Sequence, residues 1–114
     1  MQNRDALRVA ALQHELADLA HKLRRSHTTP DEYFPHASRF VQVKTALARN
    51  LDPNAVDMET AARVFDLDDA ERTQLQQIFE QSDELRYSGG GNGHSAIAED
   101  QRRAVLRFIE GLRA

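Results

Sequence analysis

The stretch Leu67-Asp-Asp-Ala-Glu-Arg-Thr-Gln-Leu-Gln-Gln-Ile-Phe-Glu-Gln-Ser-Asp-Glu-Leu-Arg-Tyr87 reads as one capped amphipathic helix. Asp68 and Glu71 have capping-box spacing, in which each side chain accepts a hydrogen bond from a backbone N–H of the opening turn. Leu75, Ile78, Phe79, Ser82 and Leu85 then recur at helical spacing, so one stripe is expected to be buried while the polar residues between them stay in water. The helix ends in Asp83-Glu-Leu-Arg-Tyr-Ser88 and runs into the glycine-rich turn Ser88-Gly-Gly-Gly-Asn-Gly93. No catalytic constellation accompanies it.

Working upstream, Asp57 is placed to cap a short helix from Met58 to about Phe65, with Glu59 in its first turn and Asp66-Leu67 as the hinge into the next helix. Before it, Asn50-Leu-Asp-Pro-Asn54 is a turn-rich string that no helix continues through. Thr29-Pro-Asp-Glu32 repeats the capping-box signature, with proline at the first helical position. Pro35 would remove a helical hydrogen bond, so the pattern predicts a short capped turn, a kink, and a main helix from about His36 to Arg49. From Arg4 to Arg25 the residues Val9, Leu12, Leu16, Leu19 and Leu23 alternate by three and four, a stripe too short to argue for a coiled coil. Downstream of the glycines, Ser95 is a plausible cap for a last helix from about Ala96 to Arg113. Ala98, Arg102, Val105, Ile109 and Leu112 line one face of that helix, and Glu99 is spaced to support Arg102 and Arg103. With no convincing strand and no repeat, the reading is an all-α fold: a small bundle of four main helices plus one short helix.

At 114 residues the chain is expected to be a single domain with one core. The absence of cysteine excludes a disulfide framework, a thiolate zinc site and a cysteine nucleophile. A net charge of −3 does not suggest nucleic acid, which demands a concentrated positive face. The charge is uneven, however. Between Asp52 and Leu85 ten acids stand against Arg63 and Arg72, which leaves the remainder of the chain net positive. The basic side is densest at Arg24-Arg25 and Arg102-Arg103. Such asymmetry can orient a partner, although it is commonly just a solvated face. No apolar run is long enough to span a membrane, and no signal peptide opens the chain, so it is expected to be soluble and untargeted.

Candidate chemistry is sparse, and neither a metal nor a cofactor is implied. His14 and His21 are seven apart on one side of the first helix, about 10 Å along its axis, too far for one metal. Gly89 to Gly93 resembles a phosphate loop only superficially, because His94-Ser95 follow where a Walker motif needs lysine and a hydroxyl residue. Adjacent acids such as Asp68-Asp69 and Asp83-Glu84 point in different directions from a helix, and no serine sits in a nucleophile elbow. Asp83, Arg86 and Tyr87 are the residues to single out. Asp83 and Arg86 can pair across one turn while Tyr87 closes the core at the helix end. They either terminate the helix and anchor the loop, or present an Arg-Tyr recognition patch of the kind that forms hot spots.

The order of these elements resembles a known family. A polar linker, the Asp31-Glu-Tyr-Phe34 start, Leu51-Asp-Pro-Asn-Ala-Val-Asp-Met-Glu59, and a long helix closing in Ser82-Asp-Glu-Leu-Arg-Tyr-Ser88 before a glycine-rich loop together resemble the soluble C-terminal domain of BatD-like bacterial aerotolerance (oxygen tolerance) proteins. The resemblance covers roughly residues 30–112. It divides the chain into an N-terminal helix and linker, 1–28, and a BatD-like helical module, 29–114. In that family, the resemblance implies, such a module lies on the cytoplasmic side of a membrane span, and the operon partners are von Willebrand A-type proteins and a MoxR-type AAA+ ATPase. This chain shows neither the family's large extracytoplasmic region nor its span. It is then expected to be cytoplasmic, either as the soluble part of an inner-membrane protein or as a free-standing relative.

The family brings no catalytic residues, and only the Asp83, Arg86, Tyr87 pattern carries over. The expectation is a non-enzymatic adaptor domain of an envelope-stress complex. Its interaction surface would lie between the acidic central region and Arg102, Arg103 and Arg107, with no deep polar pocket. A different reading, a small regulatory or nucleic-acid-binding helical domain, would need the last helix with those three arginines as its recognition helix.

Overall fold

Five α-helices and one 3-10 turn make up a computed structural model that describes residues 2–25, 30–87 and 99–114, with side chains over 6–25, 32–84 and 99–114. They are α1 (Gln2–Arg24), α2 (Pro30–Arg49), the turn Pro53–Ala55, α3 (Met58–Val64), α4 (Asp69–Tyr87) and α5 (Glu99–Glu110). No strand occurs among the described residues, and the all-α bundle of four long helices and one short one stands as expected. None of the described helices is long and apolar enough to cross a membrane.

The local signals act where they were read. Asp68 Oδ1 accepts from the Glu71 N–H at 2.8 Å while Glu71 Oε1 accepts from the Asp68 N–H at 3.0 Å, so both halves of the box close and α4 begins there. Asp57 Oδ1 accepts from the N–H and hydroxyl of Thr60 at the start of α3, and these bonds hold its carboxyl below the usual range. Asp52 does the same for the turn at Pro53, accepting from Asn54 N–H. The proposed Thr29 and Ser95 caps and the Gly89–Gly93 turn lie outside the described residues.

Helix α2, not α4, is the hub. It packs against α1, α3, α4, α5 and the 3-10 turn. Its sequence explains why: Tyr33, Phe34, Ala37, Phe40, Val41, Val43, Thr45 and Ala46 are all buried, which places apolar side chains around most of its circumference. Each large one contributes roughly 1.5–3 kcal/mol on burial. Leu12, Leu19 and Leu23 of α1 cover one side of it and Leu75 and Ile78 of α4 another. Ser38 and Ser82, both buried, meet at 3.1 Å between α2 and α4, where their small size permits close approach.

Two expectations need correction. The predicted break at Pro35 does not occur, and a single helix runs from Pro30 to Arg49. A proline inside a helix costs about 3 kcal/mol, but buried Phe34 and Ala37 flank it and Tyr33 is fully covered, so burial on both sides outweighs one lost hydrogen bond. The last helix ends at Glu110, not near Arg113, because the chain turns at Gly111. The Gly111 N–H still bonds to the Arg107 carbonyl, and a Cβ there would stand 3.1 Å from that same oxygen.

Candidate interaction groove

The three arginines singled out in the last helix do not share one role. Arg102 is largely buried, its side chain 11% exposed. Its guanidinium is gripped by Glu99 through Nε (3.1 Å) and Nη2 (2.5 Å), and Nη1 reaches the carbonyls of Leu23 and Arg24 at 3.3 and 3.4 Å. The cation thus sits at the negative pole of α1 and ties α5 to it. Those bonds hold the Glu99 carboxyl below its ordinary range and raise the Arg102 guanidinium. Tyr33 reinforces the junction by donating its hydroxyl to the Arg102 carbonyl at 2.9 Å. Arg103 pairs with Glu99 at 3.0 Å and Arg24 with Glu110 at 2.8 Å. Arg107 makes no ion pair among the described residues. Arg24, Arg102, Arg103 and Arg107 border one open surface on the α1 side of α5.

Asp83 belongs elsewhere. It is exposed on α4 at the rim of a polar recess of about 300 Å³ with Ser38, Arg39, Gln42, Asn54 and Phe79. Arg39 there is held by Glu15 (2.6 Å) and Asn54 (2.8 Å). The side chains of Arg86 and Tyr87, and with them the expected Asp83–Arg86 pair, lie outside the described residues, although α4 does end at Tyr87. Asp83 and the arginines therefore do not share one surface.

The surface that sequence reasoning missed is a groove of about 420 Å³ between α4 and α5. Its floor is Phe34 of α2. Its walls are Gln74, Gln77, Ile78 and Gln81 on α4, and Gln101, Ala104, Val105 and Phe108 on α5. Both walls repeat the spacing i, i+3, i+4, i+7, which is one face of a helix over two turns. None of the nine lining residues is charged, in a chain where 29% of residues are. Four of the eight glutamines of the chain stand here, exposed, with no hydrogen-bond partner among the described residues. Gln76, on another face of α4, by contrast donates to Glu80 at 2.8 Å. The legible clue was the uncharged 74, 77, 81 spacing inside an otherwise acidic helix. Only the fold reveals that α5 leaves it uncovered.

The groove offers an apolar floor with amide rims and no ionised group, which suits a protein surface rather than a charged metabolite. Among the described residues, no three His, Asp or Glu side chains gather as a metal would need. No family model matches the chain, and neither a curated protein nor a solved structure matches it.

Proposed function

We propose that this chain is a non-enzymatic interaction domain that receives a helix of a protein partner between α4 and α5. The observation that carries the reading is the uncharged pair of walls at i, i+3, i+4, i+7 over an apolar floor, the pattern by which grooves take up amphipathic helices. The BatD-like resemblance, which rests on the element order and the Asp83, Arg86, Tyr87 signature, supplies the context: a cytoplasmic module of a membrane-associated aerotolerance complex. The partner would then be a von Willebrand A-type protein or a MoxR-type AAA+ ATPase. The nucleic-acid reading gains nothing from the arginine surface, because Glu99 and Glu110 neutralise much of it.

The test is a pull-down from bacterial lysate with the wild-type domain and two variants as baits, Ala104→Glu and Arg86→Ala/Tyr87→Ala. Recovery of such an ATPase or A-type protein by wild type and its loss with Ala104→Glu is the expected outcome. Equal recovery by Ala104→Glu and wild type moves the binding surface away from the groove. Loss with the double variant alone moves it to the end of α4.

A further inference from the structure

Helix α1 carries a second uncharged surface. Every exposed position from Ala6 to Ala17 is uncharged. The two charged residues in that span are turned to the rest of the molecule: Arg8 donates to Asn50 Oδ1 and the Leu51 carbonyl, and Glu15 accepts from Arg39. Three turns of helix face solvent without a charge, in a chain this rich in charge. Leu7, 71% exposed, stands on that face; Val9, 37% exposed, is two residues further on and turns toward the Leu12 side. Of the stripe read along α1, Val9 to Leu23, the leucines Leu12, Leu19 and Leu23 are already covered by α2. The uncharged face therefore lies on the opposite side and cannot turn into the groove of its own chain.

We infer that the Leu7, Ala10, Ala11, His14 face of α1 docks in the α4–α5 groove of a second copy of this chain. The inference rests on the reading of the groove as a helix-docking site and makes a second copy compete with the protein partner for it. Three matches support it. The four positions have the spacing i, i+3, i+4, i+7 and all are exposed, as are the glutamine rims that would receive them. Two helical turns, about 10 Å, is the length both of that face and of each groove wall. Neither surface carries a charge, so neither desolvates an ion on contact, whereas any charged helix face would leave a buried ion unpaired between glutamines. Leu7 supplies the large side chain for the Phe34 floor and the apolar wall residues Ile78, Val105 and Phe108, and the alanines let the backbones approach. The contact is heterologous: two copies can exchange α1 reciprocally and close, or the contact propagates.

Sedimentation velocity on the full chain, from micromolar to near-millimolar concentration, tests this with two variants at exposed helical positions, Ala10→Glu and Ala104→Glu. Glutamate is a good helix former, and circular dichroism melts check that both variants fold. Wild type is expected to associate with concentration, and added salt should not weaken it. Each variant alone should dissociate about tenfold more readily or not associate at all. An equimolar mixture of the two should associate again as pairs, because one copy retains an intact α1 face and the other an intact groove. A monomeric wild type at all concentrations overturns the inference. So does association that survives Ala104→Glu, which would place α1 against α1, or a mixture that fails to recover. A monomeric chain whose partner capture is still lost with Ala104→Glu removes self-docking and leaves the groove as a binding site. Self-association that follows this pattern while partner capture ignores Ala104→Glu keeps the groove for the second copy and moves the partner's binding surface elsewhere.

Discussion

The Lys44 ammonium of α2 lies 2.8 Å from the carbonyl oxygen of Glu110 and donates to it, closing the C-terminal end of α5. A second bond to the Ile109 carbonyl at 3.1 Å and the Phe40 ring beneath the ammonium complete the site. The arrangement recurs in a ring. Arg8 of α1 donates to Asn50 and Leu51 at the end of α2, Lys44 of α2 closes α5, and Arg102 of α5 reaches Leu23 and Arg24 at the end of α1. Each of these three helices has its negative pole met by a cation from another.

Breaking that ring at Lys44 should loosen α5 first. We predict that Lys44→Met lowers stability by about 1–2 kcal/mol, since hydrogen bonds to a charged group are lost while the aliphatic stem is kept. Burial already holds the Lys44 ammonium below its ordinary value, which argues for the low end of that range. Urea melts of the variant would measure the loss, and hydrogen exchange in 105–112 should accelerate more than in α3. Uniform acceleration would count against a local cap.

Tyr33 should dominate the alkaline limit. Burial pushes its hydroxyl up to about 12, with Arg102 opposing. The folded value lies above the ordinary value near 10, so the neutral phenol is favoured in the native state. Its contribution is whole below pH 10 and is lost as pH rises from 10 to about 12. In Tyr87→Phe, which leaves Tyr33 as the remaining tyrosine, phenolate absorbance should appear only near pH 12 or together with unfolding. Ionisation near pH 10 in a chain that is still folded would refute this.

His36 sets a limit on the acid side. Its imidazolium is disfavoured by burial first, then by Lys22 and Arg25, against the opposing pull of Glu32 and Asp18. The unfolded chain therefore takes up a proton at 6.5 before the native one does, and stability falls as pH drops just below 6.5. His36→Gln should flatten the pH dependence of thermal melting just below pH 6.5. An unchanged slope would assign that dependence to other groups.

Asp66 holds a left-handed backbone at φ 52° just past α3, a conformation that suits glycine. The bonds from Leu67 N–H to Ala62 and from Asp66 N–H to Arg63 form the usual helix-ending pair around it. Asp66→Gly should stabilise the fold by about 0.5–1 kcal/mol, the relief of strain exceeding the added freedom of the unfolded chain. Asn50, at φ 55°, should gain less on the same change because its side chain accepts from Arg8. Equal gains at both sites, measured by urea melts, would contradict that ordering.

Much of the fold was legible because its signals are local. A capping box such as Asp68–Glu71 closes within one turn, and its bonds form wherever the chain is helical. The same holds for Asp57, and the apolar stripes of α1, α4 and α5 marked Leu19, Leu23, Leu75, Ile78 and Ile109 for the core. Pro35 misled because the rule for proline weighs one hydrogen bond and omits what Tyr33, Phe34 and Ala37 bury. For the site, the apolar side of the walls could be read in part, since Ile78 and Val105 belong to predicted stripes. Its glutamine rims could not, because periodicity does not tell a solvated face from a groove wall.

By itself, then, the sequence determined the helical class, the beginnings of α3 and α4, and the apolar stripes, all of them consequences of contacts within a few residues. The tertiary structure decided the rest. Only packing makes α2 the hub, turns Arg102 from a candidate recognition residue into a clamp on residues 79 and 78 positions away, and leaves α4 and α5 apart over Phe34. Those outcomes depend on which faces meet, and a face acquires a role only from the helix placed against it or missing from it.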